Sequence, residues 1–327
     1  KSQKIYIAGH TGMVGKAILK AFVKNDYENI IYSKRDNLDL QNNNDVKFWF
    51  KKNKPDVVII AAAKVGGIIA NNTLPTEFLL RNLKIQNNLI ENSWHSGVKR
   101  LLFLGSSCIY PKFSQQPIKE EYLLKGELEP TNEWYALAKI CGIKLCQALR
   151  IQHNFDAISL MPTNLYGPGD NYHKTNSHVM ASFIRRFCEA KKQNLDKISC
   201  WGTGSPYREF LHVDDLANAC LYALEYWDPC SKDAPLDNKN DPLYWLNVGT
   251  GKDISIKDLA LLIAKLVKYE GQILWDKSRP DGSPKKLLNI DNFKNIGWAP
   301  HINLEDGISN TIEIYKKELE SGILRSE

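Results

Sequence analysis

The sequence of 327 residues predicts an α/β protein in which a doubly wound parallel sheet is followed by a smaller C-terminal α/β lobe. Two patterns indicate this architecture. Short apolar runs of strand length alternate with longer segments of helical periodicity through the first half of the chain. A glycine-rich turn also joins the first apolar run to the first helical segment. Strands that are separated by helix-length crossovers lie parallel, because antiparallel neighbours need only short turns.

The predicted elements of the first half follow from the places where apolar residues recur. Residues 4–8 form the first strand, and Val14, Ile18 and Phe22 share one face of a helix over 13–25. The other strands are short apolar runs between turn residues, at 30–32, 57–61, 99–104 and 157–160. The other helices are longer periodic segments, at 45–52, 78–93 and 133–153. Each strand is therefore followed by a possible crossover.

The alternation becomes less regular after the Tyr166-Gly167-Pro168-Gly169 segment. Helices are predicted there at 179–191, 214–225 and 256–267. Shorter strands are predicted at 198–201, 244–248 and 272–274. We therefore expect a first domain over 1–165 and a second lobe over 166–327, with some segments of the second lobe returning to the first domain.

Charge and composition exclude several classes of protein. The net charge of +6 is spread along the chain without a basic stripe interleaved with aromatic residues, so no nucleic-acid partner is expected. No apolar run approaches the roughly 18 residues of a membrane span, and no signal peptide is visible at the N-terminus. Seven cysteines without a CxxC pair argue against a disulfide framework and a zinc site, and for a reducing, cytoplasmic location.

The turn after the first strand has the pattern GxxGxxG and opens the first predicted helix. Glycines let a phosphate approach the main chain, and the helix N-terminus offers free N–H groups to a pyrophosphate. A tight turn without a ligand is the alternative, but the position directly after the first strand favours dinucleotide binding. The expected cofactor contacts in this turn are Gly9, His10, Thr11, Gly12, Met13, Val14 and Gly15.

The end of the second strand indicates which dinucleotide is bound. Lys34 and Arg35 stand where an acidic residue would bind the ribose 2′-hydroxyl of NAD and a basic residue would accept the 2′-phosphate of NADP. We therefore expect NADP(H). Asp36 is the competing signal, and the alternative is that both cations are ordinary loop charges.

A phenol and an ammonium four residues apart point to proton transfer. Tyr135 and Lys139 lie on one face of the predicted helix, and a nearby cation is expected to lower the pKa of the tyrosine. Ser106 closes the fourth strand, where doubly wound folds place their ligands, and its hydroxyl could bind a substrate carbonyl. A surface Tyr–Lys pair is the alternative, which the glycine turn and the serine disfavour.

Several stretches together resemble the extended short-chain dehydrogenase/reductase family. They are the glycine turn, 61–67, 105–111, the Tyr135-xxx-Lys139 pair, 161–168, 176–179, 208–215 and 280–286. The resemblance covers the chain nearly end to end and implies a Rossmann-type domain over 1–165 that binds NADP(H). Beyond the residues named above, it implies further cofactor contacts from Asp39, Leu40, Ala62, Ala63, Leu104, Gly105, Ser106, Ser107, Tyr135, Lys139, Pro162, Thr163, Asn164, Leu165 and His178.

Within that family the chain resembles members that epimerise C3 and C5 and then reduce C4 of GDP-4-keto-6-deoxy-D-mannose. The resemblance implies that Tyr135 protonates the C4 oxygen, that Lys139 holds the nicotinamide ribose, and that Ser106 orients the ketone. It implies that Cys108 and His178 form the acid/base pair that inverts C3 and C5. The other six cysteines are expected to be packing residues.

The resemblance also implies how the GDP-sugar is bound and how the chain assembles. Arg186, Arg208 and Lys286 are the candidates for the diphosphate and sugar, with Trp201 and Asp281 beside them. Arginine suits a diphosphate because its planar guanidinium binds two oxygens at once. Relatives pair as homodimers through the helices predicted at 78–93 and 133–153.

Two positions depart from the pattern of close relatives. Thr11 stands where they often carry Arg near the 2′-phosphate, which leaves Lys34 and Arg35 to bind it. Trp134 stands where they commonly have Pro, directly before Tyr135. The alternative function is therefore a C4-reductase of a related GDP-4-keto sugar, such as a heptose, without epimerisation. A non-catalytic NADP-sensing protein is disfavoured, because the Tyr135–Lys139 pair is intact.

Overall fold

A parallel sheet of six strands forms the centre of the computed structural model, which describes residues 1–279 and 281–326. The strands are, in chain order, β1 (Ile5–Ala8), β2 (Ile30–Ile31), β3 (Val57–Ile60), β4 (Arg100–Leu104), β5 (Ala157–Pro162), β6 (Asn164–Tyr166), β7 (Lys197–Trp201), β8 (Tyr207–His212), β9 (Trp245–Val248), β10 (Asp253–Ser255), β11 (Gln272–Asp276) and β12 (Lys285–Lys286). The central sheet has the order β2-β1-β3-β4-β5-β9, and every neighbouring pair is parallel. The doubly wound parallel sheet expected from the sequence is confirmed.

Two smaller sheets lie beside the central one. In the first, β8 pairs with β6 and β12 in parallel and with β10 antiparallel. In the second, β7 pairs with β11 in parallel. The sequence analysis missed β8, which is the centre of the first small sheet, because its apolar residues Phe210 and Leu211 are flanked by charged ones.

The helices connect these strands. They are α1 (Met13–Lys24), α2 (Asn43–Asn53), α3 (Ile68–Thr73), α4 (Asn82–His95), α5 (Glu133–His153), α6 (Val179–Lys192), α7 (Val213–Tyr226), α8 (Ile256–Val267), α9 (Asp291–Asn295) and α10 (Leu304–Glu320). The segment predicted as one α-helix over 78–93 instead begins as a π-helical turn, Glu77–Arg81, and continues as α4. Helix α10 was not predicted. Within the described residues, no helix has both the length and the apolarity that crossing a membrane requires.

Three hydrophobic cores organise the chain. On one face of the central sheet, Val46 and Phe50 of α2 pack with buried residues of α4 and α5. On the other face, Ile18 and Phe22 of α1 pack with α7. The third core lies between α6, α8 and α10, where Phe187 is fully buried. Strand β9 and helix α7 come from the second half of the chain, but they complete the central sheet and cover one of its faces.

The cysteines are distributed over both core and surface. Cys146, Cys200 and Cys220 are buried, as expected of packing residues. Cys141 and Cys230 are exposed, so the expectation that they pack in the core is wrong.

The strand order reverses at β1, because the chain passes from β1 to β2 on one side and then crosses to β3 on the other side of β1. Such a switch point opens a crevice at the carboxyl ends of the two strands. Gly9, which follows β1, has φ +91° and lies so close to the end of β3 that a Cβ would be 2.7 Å from the nitrogen of Ala62. Glycine is required there, and the crevice starts at this contact.

Replacing Gly15 with alanine tests how tightly the turn is built. A Cβ at Gly15 would overlap the carbonyl oxygen of Gly9, so we expect Gly15→Ala to lower the free energy of unfolding by about 1–3 kcal/mol. Gly12→Ala is the matched control, because its Cβ would meet the same oxygen at 3.6 Å. Its loss should stay below about 1 kcal/mol. Urea unfolding of both variants makes the comparison, and equal losses would contradict this packing.

Candidate active site

The N-terminus of α1 offers a site for a dinucleotide phosphate. The amide N–H of Gly12 donates to the carbonyl of Gly9 at 3.1 Å, which closes the turn. Helix α1 then begins with no side-chain cap and no acidic residue in its first turn. Its first N–H groups therefore face the crevice and can bind an anion. The close approach of Gly9 and Gly15 leaves room for a pyrophosphate against the main chain, so this turn fits a dinucleotide.

The residues around the turn are placed as follows. His10 is buried and stacks on Tyr32 with ring centres 4.3 Å apart, and burial together with the nearby charge of Lys34 lowers the pKa of His10. Lys34 and Arg35 are exposed, as is Thr11. Of three more expected cofactor residues, Asp39 and Leu40 lie in the loop between β2 and α2, and Ala63 lies in the loop directly after β3. The cations that are expected to bind a 2′-phosphate are thus exposed to solvent.

The Tyr135–Lys139 pair lies on α5 beside the end of β4. The ammonium of Lys139 donates to the carbonyl of Leu104 at 2.7 Å and lies 5.8 Å from the centre of the Tyr135 ring. Burial lowers the pKa of Lys139 to about 7. Burial also raises the pKa of Tyr135; nearby Cys108 acts in the same direction, and a hydrogen bond with Ser106 opposes it.

The prediction that Lys139 lowers the pKa of Tyr135 is therefore wrong, because the pKa is raised. The desolvation of the phenol is the largest effect, and the ammonium is directed at the carbonyl of Leu104. The phenol stays protonated at neutral pH, which is the form that can donate a proton. Its partner Ser106 holds an extended conformation and also accepts a hydrogen bond from the amide of Cys108 at 3.2 Å.

Cys108 is half-buried and receives two polar contacts at its sulfur. The side-chain amide of Asn132 donates to Sγ at 3.4 Å, and the ammonium of Lys286 lies 3.8 Å from the same atom. Gly105 before it packs on the sulfur of Met161, where a side chain would not fit. The contacts of Asn132 and Lys286 with Sγ both favour a negative charge on sulfur, which suits a thiol that acts as a base.

His178 precedes α6 and is the N-terminal cap residue of that helix. Its segment is held against the loop after β3, because the amide of Gly67 donates to the carbonyl of Asn176 at 3.2 Å. The ring is exposed along the cleft, and the protein around it lowers its pKa by desolvation. The lowered pKa favours the neutral form of the imidazole.

Residues 162–165 connect the central sheet to β8. The amide of Thr163 donates to the carbonyl of Val248, and the side chain of Asn164 donates to the carbonyl of Glu209 at 2.8 Å. Pro162 is the last residue of β5, and Leu165 packs against the core of the sheet. These expected cofactor residues lie at the carboxyl end of β5, along the same edge as Ser107 and the turn after β1.

Arg208 and Lys286 are neighbours on adjacent strands. The parallel pairing of β8 and β12 sets them opposite each other. Burial lowers the pKa of Arg208, and the charges near it, among them Cys108 and Asp281, oppose that change. The structure thus brings together the sulfur of Cys108 and two of the expected substrate-binding cations.

The remaining substrate candidates lie in the second half of the chain. The guanidinium of Arg186 donates to the carbonyl of Ser199. Trp201 is 48% exposed and faces the guanidinium of Arg279 at 5.2 Å. Asp281 accepts from the amide and the hydroxyl of Thr203 at 3.0 and 2.7 Å. Pro280, the first residue of the matched stretch 280–286, lies outside the described residues.

Sequence reasoning missed three polar residues of this region. Asn132 contacts the sulfur of Cys108, and Asn82 holds the loop after β3 through its hydrogen bonds with the backbone of Lys64. Glu209 is fully buried, and its carboxylate accepts from the amides of Thr250, Gly251 and Leu288 at 2.6–3.0 Å. The one available signal was Glu209, a charged residue directly before the apolar pair of β8. The two asparagines gave none, because asparagines near helix starts are common caps.

Replacing Glu209 with glutamine should destabilise the protein. Burial raises the pKa of the Glu209 carboxyl and its backbone hydrogen bonds oppose that rise. In Glu209→Gln an amide NH₂ would face backbone N–H groups, so we expect a loss of about 2–3 kcal/mol in the free energy of unfolding. The exposed Glu313 on α10 supplies the control, Glu313→Gln, with a change within about 0.5 kcal/mol. Denaturant unfolding measures both, and an unchanged Glu209→Gln would rule out this role.

Comparisons with known proteins agree with this geometry. The model of the NAD dependent epimerase/dehydratase family matches residues 5–232. The chain is 50% identical to GDP-L-fucose synthase 1 of Arabidopsis thaliana, over 98% of this chain and 95% of that protein. It is 47% identical to GDP-L-fucose synthase of Escherichia coli (strain K12), over 95% and 96%. A solved structure of a GDP-mannoheptose C4 reductase from Campylobacter jejuni with NADP bound superposes with a TM-score of 0.85 at 36% identity, over 96% and 98%.

Proposed function

The chain belongs to the NAD dependent epimerase/dehydratase family, and on that basis we propose that it converts GDP-4-keto-6-deoxy-D-mannose to GDP-L-fucose with NADPH. The reaction inverts C3 and C5 and then reduces C4. The observation that carries this proposal is the identity of 47–50% to two GDP-L-fucose synthases over nearly the whole chain. The contacts at Cys108 and Tyr135 support the same assignment, because they supply a base and an acid beside each other.

The cofactor is NADP(H), which supplies hydride to C4 when bound. The glycine turn would hold its pyrophosphate, and Lys34 and Arg35 would accept its 2′-phosphate. We propose that residues 1–165 hold the cofactor and 166–327 the GDP-sugar, with β9 and α7 returning to the first domain. The separate third core between α6, α8 and α10 supports this division.

Epimerisation requires a base and an acid near the sugar ring. The C4 ketone acidifies the hydrogens at C3 and C5, so a thiolate at Cys108 can remove one of them. His178 returns a proton to the opposite face of the ring. Because His178 is exposed, its imidazole can take up the next proton from solvent. The polar contacts of Asn132 and Lys286 with Sγ support the assignment of Cys108 as the base.

Reduction requires a proton at the C4 oxygen. Tyr135 donates it, since burial keeps its phenol protonated at neutral pH. Ser106, which shares a hydrogen bond with Tyr135, orients the ketone. Lys139 is placed to hold the nicotinamide ribose. Reduction traps the epimerised ketone, because the product carries no acidic hydrogens at C3 and C5.

The substrate is a GDP-4-keto sugar. Arg208 and Lys286 would bind the diphosphate beside Cys108, and Arg186, Trp201 and Asp281 would contact the rest of the nucleotide-sugar. The partly desolvated guanidinium of Arg208 supports this role, because a cation in a half-buried site binds an anion more strongly than an exposed one.

A second candidate is C4 reduction of a related GDP-4-keto sugar, such as a heptose, without epimerisation. It is favoured by Trp134, which is 38% exposed beside Tyr135, and by the similarity to a GDP-mannoheptose C4 reductase. The lower identity of that neighbour, 36% against 47–50%, favours the deoxyhexose.

One experiment separates the two candidates. The purified protein is given GDP-4-keto-6-deoxy-D-mannose and NADPH in D₂O, and the product is analysed by NMR. Deuterium at C3 and C5 of GDP-L-fucose is expected. Turnover without deuterium there would support a plain reductase, and a higher kcat/KM with the heptose ketone would identify the alternative substrate.

The preference for NADPH should depend on Arg35. Removing one charge-assisted contact to the 2′-phosphate in Arg35→Ala should lower kcat/KM for NADPH about 10- to 100-fold and leave the value for NADH unchanged. Lys47→Ala, on the exposed face of α2, is the control and should change neither value. Steady-state kinetics with both cofactors measure this, and equal losses with NADH would show that Arg35 does not read the 2′-phosphate.

We also propose that the protein is a cytoplasmic homodimer. Helices α4 and α5 pack together, with Gln86 donating to the carbonyl of Ala138 at 2.6 Å, and apolar residues beside them stay exposed, such as Ile151 at 65%. Seven free cysteines suit a reducing compartment. Sedimentation equilibrium of the purified chain tests the dimer.

A further inference from the structure

The contacts of Lys286 assign this residue a part in the chemistry as well as in binding. We propose that the ammonium of Lys286, in contact with Sγ, stabilises negative charge on the sulfur of Cys108, so that Lys286 is a positioning residue for the base of the epimerisation. This inference rests on the proposed function, because it gives Cys108 the role of the base.

The distances at the sulfur support this role. The ammonium of Lys286 lies 3.8 Å from Sγ of Cys108, and the side-chain amide of Asn132 donates to the same atom at 3.4 Å. Both groups direct N–H donors at the sulfur, so both stabilise a negative charge there. A full positive charge in a half-buried site acts more strongly on the thiolate than it would in water.

The strand register explains why Lys286 faces the sulfur. In β12, successive side chains point to opposite faces of the sheet. Lys286 pairs with Arg208 of β8 and shares its face, which is the face of Cys108. Lys285 points the other way and forms an ion pair with Asp253 of β10 at 3.0 Å. The two neighbouring lysines are therefore separated by the sheet.

The backbone directly after Lys286 is held by hydrogen bonds. The amide of Leu287 donates to the side chain of Gln116 at 2.8 Å, and the amide of Leu288 donates to the carboxylate of Glu209 at 3.0 Å. Ile118 donates to the carbonyl of Leu287 at 2.7 Å. A backbone held in this way fixes the position from which the Lys286 side chain reaches the sulfur.

Other ionisable groups also face the sulfur. Arg208 of β8 is close enough to Cys108 for their charges to interact, and so is the phenol of Tyr135 on α5. Arg208 is also expected to bind the diphosphate, and Tyr135 is neutral near pH 7. Lys286 is the cation with a direct contact to Sγ within the described residues.

The step that Lys286 serves is a proton transfer. The thiolate of Cys108 forms an S–H bond with the hydrogen of C3 or C5, and the electrons of the broken C–H bond pass into the enolate, whose charge rests on the C4 oxygen. Lys286 gains and loses no proton in this step. Its charge stabilises the sulfur anion from which this step starts.

Alkylation of the free protein by iodoacetamide tests the proposal without any substrate. Mass spectrometry of the Cys108 peptide is needed as the readout, because exposed Cys141 and Cys230 also react. In Lys286→Met we expect the rate at Cys108 at pH 7 to fall about tenfold and the pH profile to move up by about one unit. Lys286→Arg should recover most of the rate, and Lys285→Met, on the opposite face, should react like the wild type.

The outcomes separate this inference from the proposed function. If Lys286→Met raises KM for the GDP-sugar but leaves the alkylation rate and its pH profile unchanged, Lys286 only binds the diphosphate and the inference is wrong. If wild-type protein does not exchange C3 and C5 hydrogens, the proposed epimerisation fails, whatever the alkylation shows. Thermal unfolding and NADPH binding of each variant ensure that a slower rate does not reflect misfolding.

Discussion

Tyr135→Phe is expected to abolish most of the reduction and leave the epimerisation. The phenol is the group placed to protonate the C4 oxygen, and its loss should lower the rate of NADPH oxidation by about 10²- to 10⁴-fold. Exchange of the hydrogens at C3 and C5 with D₂O needs only Cys108 and His178. It should therefore continue close to the wild-type rate, observed by NMR of the recovered ketone.

The control for this variant is Tyr226→Phe. Tyr226 lies at the end of α7 and is 67% exposed, so its hydroxyl has no part in the site. Reduction at full speed in Tyr135→Phe would remove the central element of the mechanism. Loss of both reduction and exchange would indicate instead that the phenol mainly holds the substrate in place.

The second large effect is expected in Cys108→Ala. Without the thiol, deuterium exchange at C3 and C5 should fall by about 10²- to 10⁴-fold, because the proposed base is removed. Tyr135 and Lys139 are unchanged, so NADPH can still reduce the ketone that has not been epimerised. The expected product is a GDP-6-deoxyhexose that keeps the D-manno configuration at C3 and C5.

NMR of that product decides the result, and Cys141→Ala provides the comparison. Cys141 is exposed on α5, so its loss should affect neither step. Should Cys108→Ala still form GDP-L-fucose at the wild-type rate, the base would have to be another group. A product labelled at only one of the two carbons would mean that a second residue serves the other carbon.

Much of the central sheet could be predicted because its signals are local. The apolar runs that became β1, β3, β4 and β5 are each followed by a segment of helical period, and the crossover rule then makes them parallel. The glycine turn is local too, since Gly9, Gly12 and Gly15 belong to one short continuous segment. The π-helical start before α4, Glu77–Arg81, was not predicted, because its apolar residues fit the period of an α-helix equally well.

In the candidate active site, too, local features could be predicted from the sequence and features that depend on packing could not. Tyr135 and Lys139 could be paired from the sequence, because one helical turn separates them. The direction of the pKa of Tyr135 could not, since it depends on burial and on where the ammonium of Lys139 points. The contact of Lys286 with Cys108 joins residues 178 positions apart, and no spacing in the sequence indicates it.

Local order along the chain was therefore enough to establish the parallel sheet, the glycine turn and the Tyr–Lys pair of this protein. Folding established the surroundings of each reactive group, which are the cations at the sulfur, the buried carboxylate of Glu209 and the desolvation of the phenol. The physical reason is that periodicity is a property of neighbouring residues, whereas the electrostatic environment of a side chain depends on distant segments that packing brings within a few ångströms.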